Sequence, residues 1–406
     1  QALDRGLEAV AHAYAVLSRL PAETRRWEKP QGRLDPIRID RQWRIRPRGI
    51  AVSIAGSTLP ILNSYPGIFA SLIAGNPVIV KPHPGTILPL AIFVETARLV
   101  LEEAGHDPNT MLLAVDSPEM PIARNLVMSP AVGIVDYTGN TEFGQWIVQN
   151  ARHAKVFTAQ SAVNSVIIDS AHDLKAVIRE LAVSLTMYSG QMCTSPQNIF
   201  IPASGIDVDG TPTSFGEVVS GITEAIDSLL SDAQRAGDVL GAIKSPASLG
   251  RIAEASALGE VSLQSRRVLH PSFPAAVVRT PVVAKIDADH REVFMREMFG
   301  PVVYVIATAD TDESLDLAQA TAENCGALNW LVYTANEEVQ DRATEAAVNA
   351  GVSVFFNLTG GLYVNEPAAF SDFHGTGANP AGNSSFTDTA FVADRFRVVG
   401  VNVSAV

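Results

Sequence analysis

The sequence has little cysteine, little positive charge and no long apolar run. Its 406 residues include only 2 cysteines, Cys193 and Cys325, which argues against the disulfide framework of a secreted protein and favours a reducing, cytoplasmic compartment. Acidic residues outnumber basic ones by 43 to 30, and the formal net charge of -13 argues against a nucleic-acid partner. The richest apolar stretch, 50–80, is interrupted by prolines and a glycine, so no segment reaches the roughly 20 residues that span a membrane. We expect a soluble protein with neither nucleic acid nor membrane as a partner.

Apolar residues are abundant, and their order indicates the fold class. Short β-branched runs alternate with helix-length segments over 50–169, which predicts βαβ units on a parallel sheet. A second series begins near Asn164 and continues to Phe356. The predicted class is α/β with two doubly wound, Rossmann-like lobes. We assign 1–160 to an N-terminal lobe, 161–370 to a second lobe and 371–406 to a C-terminal loop and strand.

Two segments have the pattern of exposed strands. Residues 37–46 and 396–403 alternate apolar with polar side chains, which is typical of a strand with one solvent-facing side. We assign both to contacts between subunits. Before the first of them, the spacing of apolar residues predicts a helix over 3–20, and the two prolines within 30–36 predict a loop.

Cys193 is the candidate nucleophile. It lies in YSGQMCTSP, between an apolar helical stretch and the strand segment NIFIP. A loop of small residues at such a junction can present a thiol where neighbouring N–H groups stabilise a thiolate and a later oxyanion. Alone, the pattern more often describes a small buried side chain. Cys325, in AENCGALNW, receives that structural interpretation.

Three further segments carry residues suited to a dinucleotide. Lys81 ends the strand segment VIVKPHP, where a lysine can reach ribose or phosphate groups. In VDYTGNTEFG a strand is followed by Gly139, Thr141 and Gly144, so that a pyrophosphate could approach the positive end of a helix. Glu297, in REMFGPVVYV, can accept hydrogen bonds from both ribose hydroxyls. Each segment alone also fits a solvated lysine, an ordinary turn or a surface glutamate, and no metal site is predicted.

Taken together and in this order, the four segments resemble the aldehyde dehydrogenase superfamily from about Trp43 onward. The sequences of the segments STLPILNSYPGIFASLIAGNPVIVKPHP and YSGQMCTSPQNIF are similar to those of the branch that includes the phenylacetate-degradation dehydrogenases. The resemblance implies that Cys193 attacks an aldehyde, that a hydride passes to NADP or NAD, and that water or a thiol releases the resulting thioester. It implies a first oxyanion donor in the Cys193 N–H and a second at Thr58, where many relatives have asparagine. The cofactor-binding residues that it implies are Lys81, His83, Thr138, Gly139, Asn140, Thr141, Gly144, Glu297 and Phe299.

The sequence departs from the family pattern where hydrolytic members carry the glutamate that activates water. Ala159 and Gln160 stand there instead. Three explanations stay open, namely an engineered substitution, release of the acyl group by a thiol such as coenzyme A, and an inactive relative. The rivals to an ordinary aldehyde dehydrogenase are therefore a coenzyme A-acylating enzyme and a non-catalytic binding or assembly protein.

Other departures concern the cofactor, the N-terminus and the substrate. Strictly NAD-dependent relatives carry a glutamate three residues after the lysine, and Pro84 at this position predicts tolerance of NADP, with His83 near its 2'-phosphate. Relatives have a longer segment before the stretch matching Trp43, so we expect an incomplete cofactor lobe. Phe370 and Phe373 either wall an entry tunnel for an apolar aldehyde or serve as packing plugs. By the resemblance, the exposed strands would extend a partner's sheet in a dimer or a tetramer.

Overall fold

The computed structural model describes residues 2–364, 378 and 389–405. The chain divides into two compact units, and of the described residues unit 1 holds 2–159 and 389–405, whereas unit 2 holds 160–364 and 378. Phe370 and Phe373 lie outside the described residues. Among the helices that are described, none combines the length and the apolar character needed to cross a membrane.

Unit 1 contains six α-helices among its described residues, and its strands form two sheets. The helices are α1 (Ala2–Leu17), α2 (Pro60–Ile73), α3 (Leu88–Glu103), α4 (Ala123–Met128), α5 (Thr141–Asn150) and α13 (Ala390–Ala393). The strands are β1 (Arg25–Gln31), β2 (Leu34–Pro47), β3 (Ile50–Ile54), β4 (Val78–Lys81), β5 (Met111–Leu113), β6 (Val132–Thr138), β7 (Lys155–Ala159) and β20 (Phe396–Ser404).

The larger sheet of unit 1 is a doubly wound parallel sheet. Its five strands are ordered β5-β4-β3-β6-β7, and all neighbouring pairs are parallel. Side chains from α1, α2, α3 and α13 pack on one face, and those from α4 and α5 pack on the other. Since both faces are covered, β3 reads as the near-continuous apolar run IAVSI. The first strand, β3, lies between β4 and β6, so the order reverses there, which creates a switch point at the carboxyl ends of β3 and β6.

A second, three-stranded antiparallel sheet of unit 1 has the order β1-β2-β20. The two alternating segments therefore pair with each other within one chain. The loop predicted over 30–36 is wrong, because a hairpin with its turn at Gly32 continues the strands on both sides, and Pro30 and Pro36 lie inside β1 and β2. Both prolines are tolerated because β1 is an edge strand with a bulge between Lys29 and Gln31, and β20 begins to pair with β2 only at Ile39.

A buried ion pair fastens the C-terminal segment to the larger sheet of unit 1. Both guanidinium NH groups of Arg395 donate to the carboxylate of Asp136 on β6 at 2.7 Å, and Arg395 is fully buried. The rings of Phe157 and Phe391 lie 4.4 and 4.3 Å from the guanidinium carbon. The charge thus gains a bidentate partner and two aromatic faces, which offset the cost of removing it from water.

Unit 2 contains seven α-helices and twelve strands among its described residues. The helices are α6 (Leu174–Thr186), α7 (Phe215–Leu229), α8 (Ala233–Val239), α9 (Pro246–Leu258), α10 (Arg291–Phe294), α11 (Thr311–Cys325) and α12 (Glu337–Ala350). The strands are β8 (Asn164–Ile168), β9 (Ser170–Ala171), β10 (Pro196–Pro202), β11 (Ile206–Val208), β12 (Thr211–Thr213), β13 (Glu260–Leu263), β14 (Arg267–Val268), β15 (Val278–Arg279), β16 (Val282–Asp287), β17 (Val302–Thr308), β18 (Asn329–Tyr333) and β19 (Ser353–Phe356).

The main sheet of unit 2 has seven strands in the order β13-β16-β17-β10-β8-β18-β19, and only β13 runs antiparallel to its neighbour. Alternate residues of its strands face two separate cores, one formed with α6, α7 and α8 and the other with α9, α10, α11 and α12. The predicted α/β class with two doubly wound lobes is confirmed.

Candidate active site

The loop that carries Cys193 begins with a short run of left-handed backbone. After α6, the φ angles of Tyr188, Ser189 and Gly190 are 51°, 57° and 62°. Positive φ is unfavourable for a residue with a side chain, so the surrounding structure must hold the first two residues in place. The Ser189 hydroxyl donates to the carbonyl oxygens of Gly241 and Arg279, both at 3.1 Å. The chain is thus turned sharply just before the thiol.

Two buried asparagines hold the backbone at and after Cys193. Asn164 on β8 donates to the carbonyl oxygens of Cys193 at 2.7 Å and Ser195 at 3.0 Å. Asn329 on β18 donates to the carbonyl oxygen of Thr194, between them, at 3.2 Å. Three successive carbonyls are therefore fixed. The peptide bond between Cys193 and Thr194 is trans, so the Thr194 N–H points in the direction opposite to the Cys193 carbonyl, away from β8.

The Glu297 loop packs directly against the Cys193 loop. A Cβ atom built on Gly190 would lie 2.4 Å from the carbonyl oxygen of Gly300, so only glycine allows this approach. Gln197, on the strand that follows the thiol, accepts from the Met298 N–H at 2.6 Å and donates to the Arg296 carbonyl at 3.0 Å. The segment from Gly190 to Gln197 and the Glu297 loop are therefore joined at two points, once before and once after Cys193.

Within that second loop, Glu297 and Phe299 are half-buried. The Glu297 carboxylate accepts from the Ala162 N–H at 3.0 Å, which orients it. The Phe299 carbonyl accepts from the Ser248 hydroxyl and from Arg251, each at 3.1 Å. The loop is thus held by side chains from α9 as well as by β10.

The two thiols have different surroundings. Both cysteines are free and half-buried. Cys325, at the end of α11, donates to the Met295 carbonyl at 2.7 Å, and burial raises the pKa of its thiol. A raised pKa lowers the thiolate fraction, so Cys325 is a poor nucleophile at neutral pH. Cys193 instead lies in a loop between a helix and a strand, where its backbone rather than its sulfur is tied down.

In unit 1 the remaining candidates gather at one edge of the parallel sheet. Ile54 of β3 is in register with Lys81 of β4 and with Tyr137 of β6, so the segments that follow all leave from the carboxyl edge. Thr58 lies in the β3–α2 loop, half-buried, and its carbonyl accepts from Asn63 at 3.3 Å. Ligands of open α/β sheets bind at this edge.

The turn after β6 is tightly organised. A Cβ built on Gly139 would lie 2.3 Å from the Tyr137 hydroxyl oxygen, which itself donates to the Asn140 carbonyl at 3.0 Å. The Asn140 side chain caps α5 by accepting from the Phe143 N–H at 2.9 Å, and α5 then begins at Thr141 with Gly144 buried in its first turns. Across the switch point, a Cβ on Gly56 would meet the Thr138 methyl group at 3.4 Å. A close backbone approach is therefore built into both loops.

Lys81 has a partner that the sequence analysis missed. Its ammonium lies 2.7 Å from an Asp116 carboxylate oxygen, and the two side chains are 7% and 2% exposed. The second Asp116 oxygen accepts from the Ile122 N–H at 3.1 Å. His83 is exposed and accepts from the Gly85 N–H, and partial burial together with the Lys81 charge lowers the pKa of its imidazole. The only sequence signal for Asp116 was its position directly after the short apolar run MLLAV.

Ala159 and Gln160 occupy the position where hydrolytic relatives carry the glutamate, and both are uncharged. Ala159 ends β7 with its side chain buried, and its carbonyl accepts from the Gly139 N–H at 3.0 Å. Gln160 follows and is also buried. The neutral pair is therefore a packed part of the structure.

Comparisons with known proteins agree with this geometry. The sequence model described as aldehyde dehydrogenase family matches residues 7–385. Relatives include a geranial dehydrogenase of Castellaniella defragrans, 28% identical over 78% of this chain and 63% of the relative, and a 1-pyrroline-5-carboxylate dehydrogenase of Geobacillus kaustophilus, 24% identical over 83% of this chain and 64% of the relative. The chain thus spans less than two thirds of these relatives. The structure of an NAD-dependent aldehyde dehydrogenase from Burkholderia multivorans is 48% identical, covers 100% of this chain and 72% of that protein, and has a TM-score of 0.95. The chain belongs to the aldehyde dehydrogenase family.

Proposed function

We propose that the protein oxidises an aldehyde with NAD or NADP through a covalent intermediate on Cys193. The observation that carries the proposal is the Cys193 loop, in which three successive carbonyls are fixed by Asn164 and Asn329. These hydrogen bonds fix the backbone that carries a half-buried thiol and so determine where the sulfur lies. Family membership supports the same role.

In the proposed reaction, the Cys193 thiol first loses its proton to water, and the thiolate sulfur then bonds to the aldehyde carbon as the carbonyl oxygen becomes an oxyanion. The backbone N–H of Cys193 and the Thr58 side chain are the proposed oxyanion donors. The carbon then loses a hydride, which leaves a thioester on Cys193. A bound nicotinamide dinucleotide supplies the hydride acceptor. Attack by water or a thiol on the thioester releases the acid or a new thioester and restores Cys193.

The residues of the sheet edge fit such a dinucleotide. The glycine turn at Gly139 leaves room for backbone to approach a pyrophosphate at the start of α5. Lys81 ends β4 at the same carboxyl edge, and Thr138, Asn140, Thr141 and Gly144 complete the proposed contacts of unit 1. That the Burkholderia multivorans protein is described as NAD-dependent supports a nicotinamide here as well.

A panel of aldehydes, assayed by nicotinamide reduction at 340 nm with each cofactor, tests the proposal. Cys193→Ala is expected to abolish turnover, and Cys325→Ala is the matched control because it removes the other thiol. Loss of turnover in both variants, or in neither, would contradict the assignment. A non-catalytic binding or assembly protein predicts that Cys193→Ala changes neither turnover nor the uptake of an aldehyde-like electrophile.

Release of the acyl group to coenzyme A is the second candidate reaction. Buried Ala159 and Gln160 replace the carboxylate that would activate water, whereas a thiol attacks a thioester with less help from a base. Acyl transfer predicts that nicotinamide reduction stops after one turnover per Cys193 until coenzyme A is added. A full steady rate without any thiol would exclude it.

We also propose an apolar or aromatic-derived substrate, such as a semialdehyde of phenylacetate-type catabolism. The resemblance of the segments around Lys81 and Cys193 to the phenylacetate-degradation branch supports this substrate class. The geranial dehydrogenase among the relatives is named for an apolar aldehyde. In the panel, kcat/KM should rise from acetaldehyde to phenylacetaldehyde. Equal values would remove the support for this substrate class.

The three-stranded sheet supports a homodimer or homotetramer. Its edge strand β20 exposes Val399, Val401 and Val403, which lie on one face of the strand and form a row of apolar side chains that a second subunit could cover. We place the assembly in the cytoplasm, where Cys193 stays a thiol. Light scattering coupled to size-exclusion chromatography distinguishes an oligomer from a 43.2 kDa monomer.

A further inference from the structure

We infer that Asp116 makes this protein prefer NAD to NADP. The inference rests on the proposed function, because it concerns the ribose end of the same dinucleotide site. It also changes the expectation drawn from Pro84, which replaces the acidic residue that follows the lysine in strictly NAD-dependent relatives. In this chain the acidic group comes instead from the loop that follows the neighbouring strand β5.

The placement of the carboxylate is the first step. Lys81 ends β4, and Asp116 lies three residues beyond the end of the neighbouring parallel strand β5. Both side chains therefore stand at the carboxyl edge where a dinucleotide binds. The Ile122 N–H holds one carboxylate oxygen, so the other is directed at the Lys81 ammonium at 2.7 Å.

The charge balance is the second step. NADP differs from NAD by a phosphate on the 2'-oxygen, and a lysine at the sheet edge would be the cation to bind it. Lys81 is already neutralised by a carboxylate, and the pair is shielded from water, so it offers no free positive charge. A phosphate approaching Lys81 also meets the negative charge of Asp116. NAD carries only a neutral hydroxyl at this position, so it needs no free cation from the Lys81–Asp116 pair and meets no charge repulsion.

His83 does not restore a phosphate site. Its Nδ1 is occupied by the Gly85 N–H, and its imidazole lies near the Lys81 charge. It therefore remains neutral at pH 8, where binding can be measured. The two basic side chains in KPHP therefore offer a phosphate no uncompensated positive charge, because Lys81 is paired and His83 is neutral.

The test is calorimetric binding of ADP-ribose and of 2'-phospho-ADP-ribose to the full chain at pH 8. The unmodified protein should bind ADP-ribose at least about tenfold more tightly. Asp116→Asn and Asp116→Ser should shift the ratio toward the phosphorylated ligand by about tenfold or more, because Lys81 is released. Two variants of different size guard against a folding defect in one of them.

Glu119→Gln is the matched control, since it removes one negative charge from the same loop outside the ion pair. It should leave the ratio unchanged. Adding Lys81→Met to Asp116→Asn should remove the gain, because the released lysine is its source. A ratio that does not move in either folded Asp116 variant, or a protein that already prefers the phosphorylated ligand, overturns the inference alone. Failure to bind either ligand overturns the proposed function together with the inference.

Discussion

Replacement of Asn164 by alanine should damage the Cys193 loop more than the rest of the protein. Asn164 is 1% exposed and makes four hydrogen bonds. It donates to the Cys193 and Ser195 carbonyls and accepts from the Leu328 and Asn329 N–H groups at 2.8 and 3.2 Å. It therefore joins the nucleophile loop to the start of β18.

The expected loss of stability follows from these bonds. Four hydrogen bonds at about 1 kcal/mol each correspond to about 4 kcal/mol, with the buried backbone groups left unpaired. For a unit of this size the melting temperature should fall by roughly 8 to 16 °C. Release of the Cys193 carbonyl should also lower kcat on the order of a hundredfold, because the thiol is no longer held in line with the substrate.

Unit 1 offers a matched control in Asn76. This asparagine is also buried, accepts from the Arg48 and Gly49 N–H groups, and donates to the Ser71 and Arg395 carbonyls. It lies before β4, at the opposite end of that strand from Lys81.

Stability is compared by thermal unfolding, and kcat for nicotinamide reduction is measured at a temperature well below the melting point of either variant. Asn76→Ala should cost similar stability but change kcat less than about threefold. If Asn164→Ala and Asn76→Ala lower kcat equally, the proposed positioning of Cys193 by Asn164 is refuted.

Three further variants test other parts of the structure. Arg395→Met should lower the free energy of unfolding by about 3 to 5 kcal/mol in urea denaturation, because Asp136 would stay buried without its partner; a loss below 1 kcal/mol would contradict this. Gly139→Ala should weaken ADP-ribose binding about tenfold, because the added Cβ would lie 2.3 Å from the Tyr137 hydroxyl oxygen and displace that side chain. An unchanged calorimetric affinity would contradict a role of the Gly139 turn in binding. Alkylation of Cys325 by iodoacetamide, followed by mass spectrometry, should be slower than alkylation of cysteine in an unfolded peptide. Its rate should still increase above pH 9, because burial raises the pKa of the thiol and the thiolate forms only at higher pH; a rate that levels off by pH 8 would refute this.

The fold was largely predictable because its strands are buried on both faces. Segments such as IAVSI and VVYVIAT are apolar throughout, and such runs between helices require a covered parallel sheet. The hairpin over 25–47 was not predictable in the same way. Its prolines indicate a loop, and only the edge position of β1 and the late start of β20 make them acceptable in strands.

The candidate site was predicted through its motifs, but the residues that support it were not. Asn164, Gln197 and Asn329 are ordinary polar residues in the sequence, and their roles depend on carbonyl and N–H groups up to 165 positions away. Asp116 likewise gains its meaning from Lys81, which belongs to a neighbouring strand. A sequence motif describes residues that are close along the chain, whereas these contacts depend on which strands are neighbours in the sheet.

The two cysteines illustrate why this distinction matters for function. Both occur in short segments near the end of a helix, and both are half-buried, so exposure does not separate them. The difference lies in what is bound. At Cys325 the sulfur itself donates a hydrogen bond and its pKa is raised, which favours the inert thiol. At Cys193 the carbonyl is bound by a buried asparagine, and the loop also rests on Gly300. A structure that fixes the backbone around a thiol limits where the sulfur can go without consuming its reactivity, and that is the requirement for a nucleophile that must meet a substrate.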